Sequence, residues 1–271
     1  MAKMREPFAG EDVSGKWRFL SGSESQVDSE DSIFPIFRQQ RTGLWEVVGT
    51  CFFITKTGIF VTAKHVLDTL FDHKGTQTHA PALLHLLPSS QYLIRPILRA
   101  AMHPTADLAV GVAAPMNHNP TGEPLTNQRL RLTTCQPPVG SRVATYACPN
   151  ASISIRRDGQ QIELWPAFYE GEVLDYYPNG RDSVILPGPC YRTTILLHGG
   201  ASGGPVFDIE GRVFAVNSTG FQNERTSFVS AIQDILSLSV DDVLLLGESM
   251  PRSVPVLELT RLGHISFDPE V

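Results

Sequence analysis

The chain has 271 residues, 42% of them hydrophobic and 18% charged, with a formal net charge of −6. That balance belongs to a globular protein and excludes a disordered one. The negative charge argues against nucleic acid or an anionic membrane as partner, since both select basic surface, and no stretch approaches the ~20 apolar residues that cross a bilayer.

In chain order, residues 1–32 are polar and read as a flexible arm. Periodic structure begins near Ile33. Trp45–Ile54 and Gly58–Thr62 read as a strand pair turned at Thr55–Gly58, and Ala82–Leu87 and Tyr92–Leu98 as a second pair around Pro88-Ser89-Ser90. Asp107–Val112 is one further short strand. Pro115–Pro138, rich in Asn, Thr, Pro and Gly, reads as a linker over the surface. A second strand series follows: Arg142–Ala147, Ser152–Ile155, Phe168–Leu174, Thr193–Leu197, Pro205–Phe207, Val213–Asn217 and Thr226–Val229. Ala231–Leu236 opens a short helical pattern, and the tail from Pro251 alternates at Val254, Val256, Leu257 and Leu259. The class expected is all-β: two packed barrels on either side of a linker, with a short helical segment near the C-terminus.

Cys51, Cys135, Cys148 and Cys190 form no C-x-x-C pair or compact His/Cys cluster, so no metal site is expected and a reduced, cytoplasmic protein is the plain reading. The N-terminus lacks the basic-then-apolar order of a signal peptide. His73, His79 and His85 recur every six residues, but Lys74–Gln77 interrupts any common strand, and surface histidines are expected.

Three segments carry chemistry. They are Thr62-Ala63-Lys64-His65, Asp107-Leu108-Ala109-Val110, and Gly200-Ala201-Ser202-Gly203-Gly204-Pro205. A serine hydroxyl attacks a carbonyl only if a base removes its proton, and histidine suits that task because it titrates near neutrality. A carboxylate on the far ring nitrogen fixes the tautomer and stabilises the imidazolium. Backbone N–H groups of a glycine-rich turn, here those of Gly200 and Ser202, would receive the oxyanion. Asp68 and Asp72 lie too close to His65 in sequence to serve as the carboxylate, and His103 is expected to position the loop before Asp107.

These segments, in the order His, Asp, Ser and at compatible spacings, resemble the signature segments of the chymotrypsin/trypsin-like serine peptidases over about Ile33 to Leu236. The resemblance implies His65, Asp107 and Ser202 as triad, Gly200 and Ser202 as oxyanion hole, and a cofactor-free endopeptidase acting on protein or peptide substrates. It implies a peptidase domain over 33–236, with a first barrel at about 33–115, a linker at about 116–138 and a second barrel at about 139–236, followed by a C-terminal extension over 237–271. Ser218 would bond the catalytic aspartate, and Ser218, Thr219 and Gly220 would line the substrate site with Leu196, His198 and Ser227. Leu196 favours a small or apolar P1 residue, whereas His198 with Ser227 would accept an acidic one.

The chain departs from the digestive members at Ala201, where they carry an aspartate that pairs with a newly cut N-terminus, so activation by cleavage is not expected. Val66 and His198 stand where secreted members place disulfide cysteines, which fits an intracellular bacterial-type branch. A latent or inactive peptidase fold acting through a regulatory protein partner is the alternative. Gly200–Gly204 also satisfies the G-x-S-x-G of α/β-hydrolases, but that fold needs a helix after the serine, which Pro205 opposes.

Overall fold

The computed structural model describes residues 18–20, 26–28, 32–40, 42–68, 70–71, 80–87, 91–116, 126–149, 152–156, 159–221, 225–243 and 248–269. Asp72, His73, His79 and most of the expected arm lie outside the described residues. Within that arm, β1 (Arg18–Leu20) pairs antiparallel with β2 (Gln26–Asp28).

The first series of strands closes on itself. β3 (Ile33–Gln39), β4 (Trp45–Phe53), β5 (Ile59–Thr62), β6 (Ala80–Leu87), β7 (Gln91–Met102) and β8 (Ala109–Ala113) form a barrel in the order β3-β4-β5-β8-β7-β6. Its interior holds Phe34, Phe53, Phe60, Leu83 and Ile97, apolar residues that alternation points inward. A single helical turn, α1 (Lys64–Asp68), follows β5.

His85 departs from expectation: it is 5% exposed, not a surface residue. Its Nδ1 stands 3.1 Å from Nη1 of the buried Arg95, which also donates to Asn127 Oδ1 at 2.5 Å and, through Nε and Nη2, to the Ala114 carbonyl. Burial, with the Arg95 charge, pushes the His85 pKa down to about 4, so the ring is a neutral acceptor at physiological pH. Alternation alone did not reveal this because Arg95, Ala114 and Asn127 are distant in sequence.

The linker is also less superficial than its composition suggested. Leu130 and Leu132 are fully buried, and β9 (Leu132–Thr133) pairs in parallel with a strand of the second barrel. That barrel contains β10 (Arg142–Ala147), and β11 (Ser152–Arg156) pairs with β12 (Gly159–Glu163) as a separate hairpin. The remaining barrel strands are β13 (Ala167–Tyr177), β14 (Cys190–Thr193), β15 (Pro205–Phe207), β16 (Val213–Phe221) and β17 (Thr226–Ala231). They close in the order β15-β10-β13-β14-β17-β16, with β16 returning to β15. β14 ends at Thr193, where the sequence had a strand starting. The chain leaves the ladder there, and Thr194 instead bonds Glu172 through backbone and hydroxyl.

After a 3-10 helix (Ile232–Ser237) come β18 (Ser239–Val243), β19 (Arg252–Pro255), α2 (Val256–Arg261) and β20 (Phe267–Asp268). β20 lies parallel to β9, extending the second barrel's sheet. One apolar cluster unites the parts: Phe52, Val61 and Leu108 from the first barrel meet Phe207, Val216 and Ile232 from the second. The chain is thus all-β, two six-stranded antiparallel barrels sharing a core, with only short helices.

Candidate active site

The first barrel delivers two of the three chemistry-bearing segments to one place. β5 ends at Thr62 and α1 begins at Lys64, which sets His65 at the mouth of the strand. Asp107 lies in the loop between β7 and β8. His103 shapes that loop by accepting the Ala106 N–H at 2.7 Å on Nδ1 and donating its backbone N–H to the Leu108 carbonyl.

His65 Nδ1 is 2.9 Å from Asp107 Oδ2 and 3.0 Å from Oδ1, and the His65 backbone N–H donates to Oδ1 at 3.0 Å. The Ser218 hydroxyl donates to Oδ2. The carboxylate side chain is 12% exposed and the imidazole 50%. Burial disfavours the charged form of each. For His65, the hydrogen bond and charge of Asp107, with Asp68 further off, outweigh burial and hold the pKa above its ordinary 6.5. For Asp107, His65 and Ser218 outweigh burial and hold the pKa below the usual carboxylate range. With Nδ1–H donated to the carboxylate, Nε2 carries the free lone pair when the ring is neutral.

The second barrel delivers the third segment. Gly200 takes φ +89° at the third position of a turn closed by the Ala201 N–H on the His198 carbonyl at 3.0 Å, a conformation suited to glycine. Gly203, at φ +87°, lets the loop pass β4: a Cβ there would stand 2.1 Å from both the Thr50 carbonyl oxygen and Thr62 Oγ1. Ala201 is buried, with its carbonyl accepting from the Gly204 N–H and Asn217 Nδ2. The N–H groups of Gly200 and Ser202 have no acceptor among the described residues. A strand, β15, follows the serine, as Pro205 dictates, so the α/β-hydrolase arrangement does not occur. The Ser202 hydroxyl donates to the Ser218 carbonyl at 3.2 Å, and no hydrogen bond joins it to the His65 ring.

The expected wall residues are distributed unevenly. Ser218 is buried, Thr219 half-buried and Gly220 exposed along β16. Leu197 faces Gly220: a Cβ on Gly220 would lie 3.4 Å from Leu197 Cβ, whereas the Leu196 side chain is exposed. Ser227 is fully buried, with its hydroxyl 2.9 Å from Thr193 Oγ1, and the exposed His198 ring stands 5.7 Å from the Tyr169 ring. The Ser227 hydroxyl is thus engaged by Thr193, and His198 by the Tyr169 ring. Ser227 stands opposite Thr193 in the pairing of β17 with β14.

No group of three or more His, Cys, Asp or Glu suited to a metal occurs among the described residues. No helix among the described residues is long and apolar enough to cross a membrane. Cys51, Cys135, Cys148 and Cys190 are free thiols.

Residues 49–216 match the family model described as a trypsin-like peptidase domain. Of the solved structures, Deg5 superposes with a TM-score of 0.53 at 18% identity, over 76% of this chain and 86% of that one. The active form of the Rv3671c protease from M. tuberculosis superposes with a TM-score of 0.50 at 16% identity, over 76% of this chain and 78% of that one. Likeness at this identity speaks for the fold alone. No curated protein matches the chain by sequence.

Proposed function

The chain belongs to the trypsin-like peptidase family, and on that premise we propose that it is a serine endopeptidase with Ser202 as nucleophile, His65 as general base and Asp107 as the group that orients the base. The observation that carries this reading is the Asp107 carboxylate. It is satisfied by the His65 ring, the His65 backbone N–H and the Ser218 hydroxyl, and so fixes one imidazole tautomer. Rotation about the Ser202 Cα–Cβ bond frees its hydroxyl from the Ser218 carbonyl, and hydrogen bonds between nucleophile and base are commonly loose before substrate binds.

In the mechanism, Ser202 Oγ attacks the peptide carbonyl carbon while its proton passes to His65 Nε2. The oxyanion is received by the N–H groups of Gly200 and Ser202, a pair of donors whose loss costs about 3–4 kcal/mol each in comparable sites. His65 then returns the proton to the departing amine, leaving an acyl-enzyme that water hydrolyses by the same relay. No cofactor enters the cycle. The substrate is a protein or peptide strand laid along Ser218, Thr219 and Gly220. The narrow gap between Gly220 and Leu197 supports a small or apolar P1 residue. Three of the four thiols are buried as apolar filler, which supports a reducing, cytoplasmic setting.

A second reading, a latent peptidase that a protein partner switches on, is favoured by one observation: the Ser202 hydroxyl rests on Ser218 rather than on His65.

Both readings are tested by incubating an unfolded protein substrate with the wild-type chain and with Ser202→Ala. Cleavage by the wild type alone supports the first reading. Cleavage by neither, or by both, contradicts it. The same assay across pH reads His65. The base must be neutral and its pKa is raised, so kcat/KM is expected to reach half its plateau at a pH above 6.5 and to fall about tenfold per unit below that point. A rate unchanged between pH 5 and 8 would contradict His65 as the base.

A further inference from the structure

We propose that Thr50 is the positioning residue that holds the oxyanion loop in its working shape, so that the chain needs no cleavage event to order it. The inference rests on the peptidase reading above and extends it to how the site is kept ready.

β4 runs from Trp45 to Phe53, but β5 pairs with it only at Phe52 and Phe53. Thr50 stands opposite Pro35 of β3, but beyond the end of β5 its N–H and C=O have no ladder partner on that side, yet Thr50 is fully buried, where an unpaired peptide group is costly. Both groups are satisfied from elsewhere. The Thr50 N–H donates to the Ser202 carbonyl at 2.8 Å, and the Thr50 carbonyl accepts the Thr62 hydroxyl at 2.7 Å. An unfilled ladder position on the first barrel thus becomes the dock for the nucleophile's own peptide.

The side chain adds a second anchor with a fixed direction. Thr50 Oγ1 lies 3.1 Å from the Cys148 backbone nitrogen and 2.8 Å from the Gly200 carbonyl oxygen. The nitrogen can only donate and the carbonyl can only accept, so the hydroxyl accepts from Cys148 and donates to Gly200. One residue therefore grips the loop at Gly200 and again at Ser202, the two residues whose N–H groups are free. With the Gly200 carbonyl drawn towards β4 and the Ala201 N–H held by His198, the peptide between them cannot rotate. The Ala201 carbonyl, tied to Gly204 and Asn217, fixes the peptide that carries the Ser202 N–H. Ala201 has no ionic group with which to order the loop, and this set of neutral hydrogen bonds does that work.

The test replaces the hydroxyl by a methyl of similar size, Thr50→Val, and keeps the hydroxyl in Thr50→Ser. Thr50→Val is expected to lower kcat by about ten- to a hundredfold with KM changed less than about threefold, because ground-state binding does not use the oxyanion donors. Affinity for a peptide aldehyde of the cleaved sequence, whose adduct places an oxyanion in the hole, is expected to fall in proportion to kcat/KM. Thr50→Ser is expected to recover kcat to within about threefold of wild type, as it retains the donor. A folded Thr50→Val with wild-type kcat and aldehyde affinity overturns the proposal, as does a Thr50→Ser as impaired as the valine variant. A wild-type chain that neither cleaves substrate nor binds the aldehyde overturns the peptidase reading itself, which separates the two failures.

Discussion

Asp107→Asn is expected to lower kcat/KM about ten-thousand-fold while leaving the fold in place. The carboxylate now accepts three donors: the His65 ring N–H, the His65 backbone N–H and the Ser218 hydroxyl. An amide keeps one oxygen for the backbone N–H and turns its NH2 towards the ring. His65 Nδ1 must then accept, which puts the ring proton on Nε2 and removes the lone pair that would take the Ser202 proton. Ser218 rotates to accept from the amide, so no buried group is left unpaired and the thermal midpoint should move by only a few degrees. The charge that raises the His65 pKa is also lost, so even the protonated ring is less stabilised. Steady-state hydrolysis of one peptide by both proteins, with thermal unfolding beside it, checks this. A loss under tenfold would contradict the role given to Asp107.

The second large effect concerns stability. Deleting residues 239–271 is expected to abolish cooperative folding rather than release a regulatory tail. Val240, Val254, Val256, Leu259, Ile265 and Phe267 sit in the cluster that joins the barrels. Exposing the faces they cover forfeits roughly 10 kcal/mol of apolar burial, against a total stability of about 5–15 kcal/mol for a typical domain. Polar ties go as well. β20 leaves β9, Arg129 loses the Gly263 carbonyl at 2.9 Å, and Arg212 loses Asp268 at 2.6 Å. Calorimetry of the shortened chain should show no unfolding transition near that of the full chain. A soluble fragment with an unshifted, cooperative transition would contradict the expectation.

What the sequence disclosed, and what it did not, follows from the range of each interaction. His65, Asp107 and Ser202 stood out as candidates because each sits in a short local pattern: the end of one strand, the lead into another and a glycine turn that Pro205 directs into a strand. Both barrels were legible through alternation. β9 was not, since two residues inside a stretch rich in turn formers carry no period. Leu132 is buried only because β16 and β20 arrive from far along the chain. Thr193–Leu197 misled because its apolar residues suggested a strand, whereas the chain there is bent away to bring Leu197 against Gly220. The same non-locality hid Thr50, whose importance comes from a ladder position left open by the shortness of β5 and from its hydrogen bonds to Gly200 and Ser202, 150 and more positions away.

Activation of Ser202 within this arrangement is read most directly by reaction with a fluorophosphonate probe. The full-length protein is treated at neutral pH, digested and mapped by mass spectrometry, with Ser202→Ala treated in parallel. The expected result is one phosphonate adduct, on Ser202, and no adduct on the alanine variant. Equal labelling of both proteins, or of neither, would contradict a catalytic Ser202.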